Sequence, residues 1–363
     1  MKPLLPNIKF LHIVRGVAAL IVVFFHAKYV YWVGGKIYVQ EIGLHTVKDY
    51  FLFSVDMLSS CGKECVIIFF VLSAFVIKYS HADIQKNNLL SFYKTRLLRI
   101  YLPFLFSLFF SVIVLTVCIR FINPDIYTNN LREYNSRLFA AYNELSVKQV
   151  FKTILFIENG EFAGANYAYW SLGHELIFYF LFPFYNLMRR DIKFYVGILF
   201  TVLFLLTKSS LFYYQVFFIC GLILYDYFTT ISKRPLIKSK LLNICLLIVF
   251  FIAVNITNRM ISEMASDIVT LLYSFFIFDY ILYFIKNKNT IGMRLGNISY
   301  TLYLNHLPLL LLLYSLITLQ TGKLVFYNRG PYYAGVVFAV LLAVPLYYLI
   351  EKQSVKLIRR LKK

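Results

Sequence analysis

The residues that could do chemistry in this chain stand where a membrane makes them costly. An ionisable side chain within an apolar span costs several kcal/mol unless it meets a cavity or a partner, so each is a candidate for function or for a buried structural pair. The stretch LHIVRGVAALIVVFFH carries Arg15 and His26. On a helix, eleven residues make three turns to within about 20°, so the two share a face roughly 16 Å apart along the axis, with His12 near the same face. They read either as two stations for an anionic substrate or as a packing arginine and a satisfied histidine, and the pair alone leaves both open. Further on, YWSLGHELIFYFLFPF puts Tyr179 four residues after Glu175, hence on one face. With that helix running inward from the outer side, Glu175 falls about 10 Å below the surface, near the depth expected of His26. A carboxylate beside an imidazole fixes its tautomer and supports an imidazolium, the arrangement of a general base. His174 is off that face and reads as structural.

His306, in SYTLYLNHLPLL, falls near the middle of an apolar stretch with Tyr303 three residues before it. A cavity-facing group and a core histidine fit it equally. The segment FYKTRLLRIYLPF places Arg96 and Arg99 on one helical face. Arginine forks suit phosphate, and two basic anchors at a cytosolic face would look the same. Walker, GxGxxG, HExxH and nucleophile-elbow patterns are absent, and no spacing of His, Cys or carboxylates matches a metal site. Cys118, Cys220 and Cys245 lie in apolar runs as small core residues, while Cys61 and Cys65 bracket CGKEC as two free thiols or a local disulfide.

The elements that must position these residues follow from composition. Of 363 residues, 60% are hydrophobic and 15% charged, which excludes a soluble globular domain and a disordered chain. Ten apolar blocks, at 10–32, 64–79, 100–121, 168–188, 193–207, 211–228, 241–256, 266–285, 297–317 and 332–350, approach or reach the length that crosses a hydrocarbon core. Helix is the default, because an open sheet leaves backbone groups unpaired in lipid. The blocks at 64–79 and 193–207 are short and must borrow flanking residues. The expectation is an all-α polytopic membrane protein with about ten transmembrane helices and both termini cytosolic. In that orientation the inner connections and termini hold about 22 of the 37 Lys and Arg, and the outer connections about 11. The net charge of +20 therefore reflects membrane topology, and no basic stripe points to nucleic acid. The first block is too long for a signal-peptide core and reads as a helix that stays. One membrane domain over 1–363 is expected, with outer segments at about 33–63 and 122–167 and a basic cytosolic tail at 351–363. No internal repeat supports a transporter built from paired halves.

Taken together, these residues resemble the acyltransferase-3 family of bacterial integral-membrane O-acyltransferases. LHIVRGVAALIVVFFH resembles its first-helix Arg-Gly…His motif, IFFVLSAFVI its FFxLSGF signature, and Arg96 and Arg99 its RxxR. WSLGHELIFYFLFP is similar to WSLxxE…Y…P, GNISYTLYLNHLPLL to SYxxYLxH, and Glu351 opens a tail like the family's. The motifs come in order over nearly the whole chain. His12 stands where the family usually has Asp, and Ala74 where it usually has Gly. The resemblance implies transfer of an acyl group, usually acetyl, from acetyl-CoA or another acyl-CoA in the cytosol to a hydroxyl of a glycan or lipid-linked glycan, such as O-antigen, capsule or exopolysaccharide. It implies a multi-pass protein of the bacterial inner membrane in contact with membrane lipids. By the resemblance His26 is the catalytic histidine, Arg15, Arg96 and Arg99 serve the acyl-CoA, and Tyr300 and His306 occupy further motif positions. Glu175 is assigned with His26 to the catalytic centre as its orienting partner, and Tyr179, Tyr300 and His306 to the substrate. Direct transfer and an acyl-His intermediate both fit. The competing reading is a lipid-linked sugar flippase or a polysaccharide polymerase, which shares the span count and intramembrane arginine and needs no acyl-CoA. A structural membrane subunit is a third, disfavoured by so many costly polar residues.

Overall fold

The computed structural model describes residues 7–81, 89–124, 126, 132–157, 161–231, 234–285 and 290–360. Asp125, Glu158 and the last three residues of the basic tail lie outside them. The described residues are almost entirely helical, with no named strand among them. Each apolar block coincides with a helix, and the short ones do borrow flanking residues: 64–79 lies within Gly62–Ser80 and 193–207 within Arg190–Thr207. Among the described residues seven helices are long and apolar enough to cross a membrane, or eight if Val47–Leu58 and Gly62–Ser80 together make one more span. This is a multi-pass membrane protein. The two long connections are helical as well, over Gly35–Glu41 and Val47–Leu58 in the first, and Glu133–Asn143 and Val147–Ile154 in the second.

The chain divides into two compact units. One holds Met1–Ala18, Cys61–Tyr93 and His174–Asn297. Within it Gly62–Ser80 packs along Ser210–Asp226, and Lys240–Met260 along Glu263–Phe284. Lipid gives helices no hydrophobic reason to associate, so close backbone approach and buried polar bonds must hold them. Both are present. A Cβ at Gly296 would stand 2.1 Å from the His12 carbonyl oxygen, and one at Gly16 would stand 2.6 Å from the Gly296 nitrogen. Asp279 accepts from Asn243 Nδ2 at 2.8 Å and from the Leu236 N–H at 2.8 Å. Lys193 pairs with Asp226.

The second unit holds Ala19–Ser60, Lys94–Gly173 and Ile298–Lys363. Its core gathers Phe104, Leu108, Phe162, Tyr169, Leu172 and Leu304. Buried hydroxyls bind through it: Tyr169 OH lies 2.9 Å from Ser107 Oγ and 3.1 Å from Ser111 Oγ. Gly164 has φ 79° and presses on Ser111, where an added Cβ would sit 2.6 Å from the serine Cβ, so both its backbone and its contact require glycine. Glu351 accepts from the Thr301 N–H at 3.1 Å and from Thr301 Oγ1 at 2.5 Å, tying Thr290–Thr321 to the C-terminal helical run. All described cysteines are free thiols. Cys118 is core, as its apolar run suggests, but Cys245 is exposed, because a small apolar residue on a membrane helix satisfies a lipid-facing surface equally well.

Candidate functional site

His26 lies on Leu11–Tyr31, five residues before that helix ends. The last carbonyls of a helix lack intrahelical partners. Here Arg132 supplies them, donating from Nη1 to Val30 O at 2.9 Å and from Nη2 to Tyr29 O at 3.0 Å and Trp32 O at 3.2 Å. A guanidinium at a helix C-terminus also meets the negative end of the dipole. Two residues past His26, Lys28 donates to Ser59 Oγ at 3.0 Å and Ser60 Oγ at 2.7 Å, and to the Asp56 carbonyl. The end of the helix that carries His26 is thus fixed from several sides.

His26 Nδ1 lies 2.7 Å from His306 Nε2, and His306 Nδ1 lies 2.7 Å from the Tyr303 carbonyl oxygen. The two ring planes differ by 3° with centroids 4.9 Å apart, so the imidazoles meet edge to edge. A carbonyl only accepts, so His306 Nδ1 carries the proton of that bond. Neutral His306 then presents a bare Nε2, which accepts from His26 Nδ1–H. This bonding assignment leaves the lone pair of neutral His26 on Nε2. His306 is fully buried, whereas His26 is partly exposed. The chain of bonds therefore has one sealed end and one open end, and the open end is a base.

Pro308 explains why His306 is so placed. A proline inside Thr290–Thr321 has no N–H for the carbonyl four residues earlier, which is that of Leu304. That oxygen accepts from Ser107 Oγ at 2.8 Å and from Asn166 Nδ2 at 2.8 Å instead. Nearby, Tyr303 OH donates to Ala168 O at 3.0 Å and lies 2.7 Å from Ser171 Oγ. These bonds hold the segment 166–171 against the helix of His306. Within that segment Tyr167 stands 5.3 Å from the His26 ring, edge to face at 84°.

Three more groups surround this place. Tyr29, one turn beyond His26 on the same helix, lies 6.2 Å from the Tyr167 ring. Arg137 lays its guanidinium over Tyr167 at 5.3 Å and pairs with Glu133 at 3.2 Å and Glu161 at 4.0 Å. Burial pushes the Glu161 carboxyl up from its ordinary range, with Arg137 opposing. The segment of Glu161 is itself held, because Gln149 donates to its carbonyl and the Ala163 N–H donates to Thr153 Oγ1 at 3.0 Å. Sequence reasoning did not single out Tyr29, Arg137, Glu161 or Tyr167. Tyr29 had a signal, its i,i+3 spacing from His26, and Arg137 had its i,i+4 spacing from Glu133.

The remaining expected site residues fall as follows. Tyr300 donates to the Ile100 carbonyl at 3.1 Å, beside Arg99 in the chain. Arg96 is partly exposed and Arg99 exposed, both on Leu89–Val117. In the other unit, Glu175 accepts from Ser73 Oγ at 2.8 Å and from Tyr179 OH, so the expected shared face is there. Arg15, partly exposed, is in that unit too. His174 is buried against the Tyr214 ring at 4.6 Å. The structure thus brings His26 to His306 and Glu175 to Tyr179.

The Acyl_transf_3 family model, described as an acyltransferase domain, matches residues 8–349. The chain belongs to this acyltransferase family. Neither the curated proteins nor the solved structures give a match. In this acyltransferase the hydroxyl joined to Glu175 belongs to Ser73 of the FFVLSAF stretch, so two of the recognised motifs meet in one bond. Ala74 fills the place of the usual glycine, and Gly221 supplies the clearance, since a Cβ there would stand 2.9 Å from the Ala74 Cβ.

Proposed function

We propose that this membrane acyltransferase moves an acyl group, acetyl in the first instance, from cytosolic acyl-CoA to a hydroxyl of a cell-surface glycan such as O-antigen, capsule or exopolysaccharide. The observation that supports it most is the bonded series His26, His306, Tyr303 carbonyl, which leaves His26 Nε2 open as a general base. Nε2 takes the proton of the acceptor hydroxyl while the oxygen attacks the thioester carbonyl. The carbon–sulfur bond breaks, and the leaving thiolate takes the proton back from His26, giving an ester and free CoA. His26 Nδ1–H keeps its bond to His306 throughout, and that bond strengthens when the ring becomes an imidazolium. His306 is a positioning residue, not the substrate ligand its motif position suggests. Arg96 and Arg99 are assigned to the phosphates of the donor, because forked guanidinium groups suit them. By their motif positions alone, Arg15 is assigned to the donor, Glu175 to the catalytic centre, and Tyr179 with Tyr300 to the substrate.

The same reading places the protein in a bacterial inner membrane, with about ten spans and both termini cytosolic, supported by the bias of Lys and Arg towards one set of connections. The test supplies labelled acetyl-CoA to membranes containing the protein together with the host's surface glycans. Alkali-labile label on carbohydrate is the expected result. If no acyl-CoA donor gives label, the reading fails and a flippase or polymerase takes its place.

A further inference from the structure

Beside His26 lies a group of side chains that the transfer step above does not use. Tyr167 and Tyr29 present rings near the imidazole, and Arg137, Glu133 and Glu161 form a charged edge next to them. Both rings are partly exposed, as is His26. The Tyr167 hydroxyl is buried and reaches no hydrogen-bond partner among the described residues, while that of Tyr29 turns to the Glu133 carboxylate. Buried hydroxyls are nearly always paired, so an orphan on a ring 5.3 Å from that of the open base points to a hydroxyl group supplied from elsewhere. The Tyr167 hydroxyl can both donate to and accept from it.

The set suits a pyranose. Aromatic rings cover the C–H patches of a sugar, while a carboxylate and a guanidinium reach its vicinal hydroxyls. The charge narrows the choice further. One guanidinium and two carboxylates leave a net negative edge, which repels a uronate or a phosphorylated sugar and not an uncharged one. We propose that Tyr29, Tyr167, Arg137 and Glu161 form the acceptor subsite beside His26 and that it takes an uncharged pyranose in preference to an acidic one. The subsite rests on the acyl-transfer reading for its place in the reaction, yet sugar binding can be measured without turnover.

The experiment uses the full chain purified in detergent, with the methyl glycosides of a neutral hexose, an N-acetylhexosamine and a hexuronic acid as probes. Binding is read from intrinsic fluorescence and thermal stabilisation for wild type, Tyr167→Phe and Glu161→Gln. At least one uncharged glycoside binds more tightly than the hexuronide, by about fivefold or more, the effect of one like charge at roughly 4 Å in water. Tyr167→Phe, which removes only the hydroxyl, weakens that binding by about three- to tenfold. Glu161→Gln shrinks the preference for the uncharged sugar. Equal binding of the hexuronide, binding indifferent to both variants, or no glycoside bound by the wild type each overturns the subsite. Acyl transfer from acyl-CoA is measured in parallel. Transfer that persists while binding ignores the variants leaves the transfer reading standing without the subsite, and glycoside binding without transfer does the reverse.

Discussion

Replacing His306 by alanine removes the only described acceptor for His26 Nδ1–H. The bond is short, 2.7 Å, and in the bonding assignment above it joins two neutral rings. Such a bond contributes about 1 kcal/mol net, and about 2–3 kcal/mol once the donor is charged. Only the difference speeds the reaction, so its loss raises the barrier by about 1–2 kcal/mol, or roughly five- to thirtyfold in kcat. Loss of the tautomer adds to this. A triad histidine locked in the wrong tautomer loses about 10⁴-fold, whereas His26 facing alanine is merely unlocked, so a total of about ten- to a hundredfold is expected. The assay is steady-state ester formation from acyl-CoA by purified protein, with melting curves beside it. KM for acyl-CoA should move little. His306→Gln, whose amide oxygen can accept from Nδ1, should recover a large part of kcat. If His306→Ala keeps kcat within about twofold of wild type while melting normally, the orienting role of His306 is wrong.

Gly296→Ala should lower thermal stability by about 1–3 kcal/mol, because the new methyl meets the His12 backbone rather than a movable side chain. Pro308→Ala returns an N–H to compete for the Leu304 carbonyl held by Ser107 and Asn166. The fold should persist, read by an unchanged or raised melting temperature, while activity falls about ten- to a hundredfold through displacement of His306. Glu161→Gln tests a pH dependence. Burial raises the folded-state pKa of this carboxyl, so the folded state holds its proton more tightly and wild-type stability declines as pH rises from its unfolded value through the folded one. The variant should therefore melt above wild type at neutral pH, and the two should converge below about pH 4.

The helical frame was legible because a membrane leaves the backbone little choice, and each apolar block became a helix. The Glu175–Tyr179 face was legible too, since i,i+4 geometry is local. His306 was visible as a costly polar residue, but its role was open, because a bond across 280 positions leaves no local pattern. Pro308 was a readable hint, as a proline two residues on frees a carbonyl nearby. Arg137 and Glu161 read as ordinary charges of an outer segment. They matter only because the anchored stretch 161–169 carries Tyr167 to His26, and that depends on tertiary bonds from Gln149, Thr153 and Ser111.

The account turns on His26 Nε2 as the base that activates the acceptor. The most direct measurement is a single-turnover reaction of purified wild type and His26→Ala with labelled acyl-CoA and a neutral glycoside, following free thiol and sugar ester together. The account predicts that wild type releases CoA in step with ester, and that His26→Ala, still folded, forms neither above background. Ester formed by His26→Ala at the wild-type rate would contradict it.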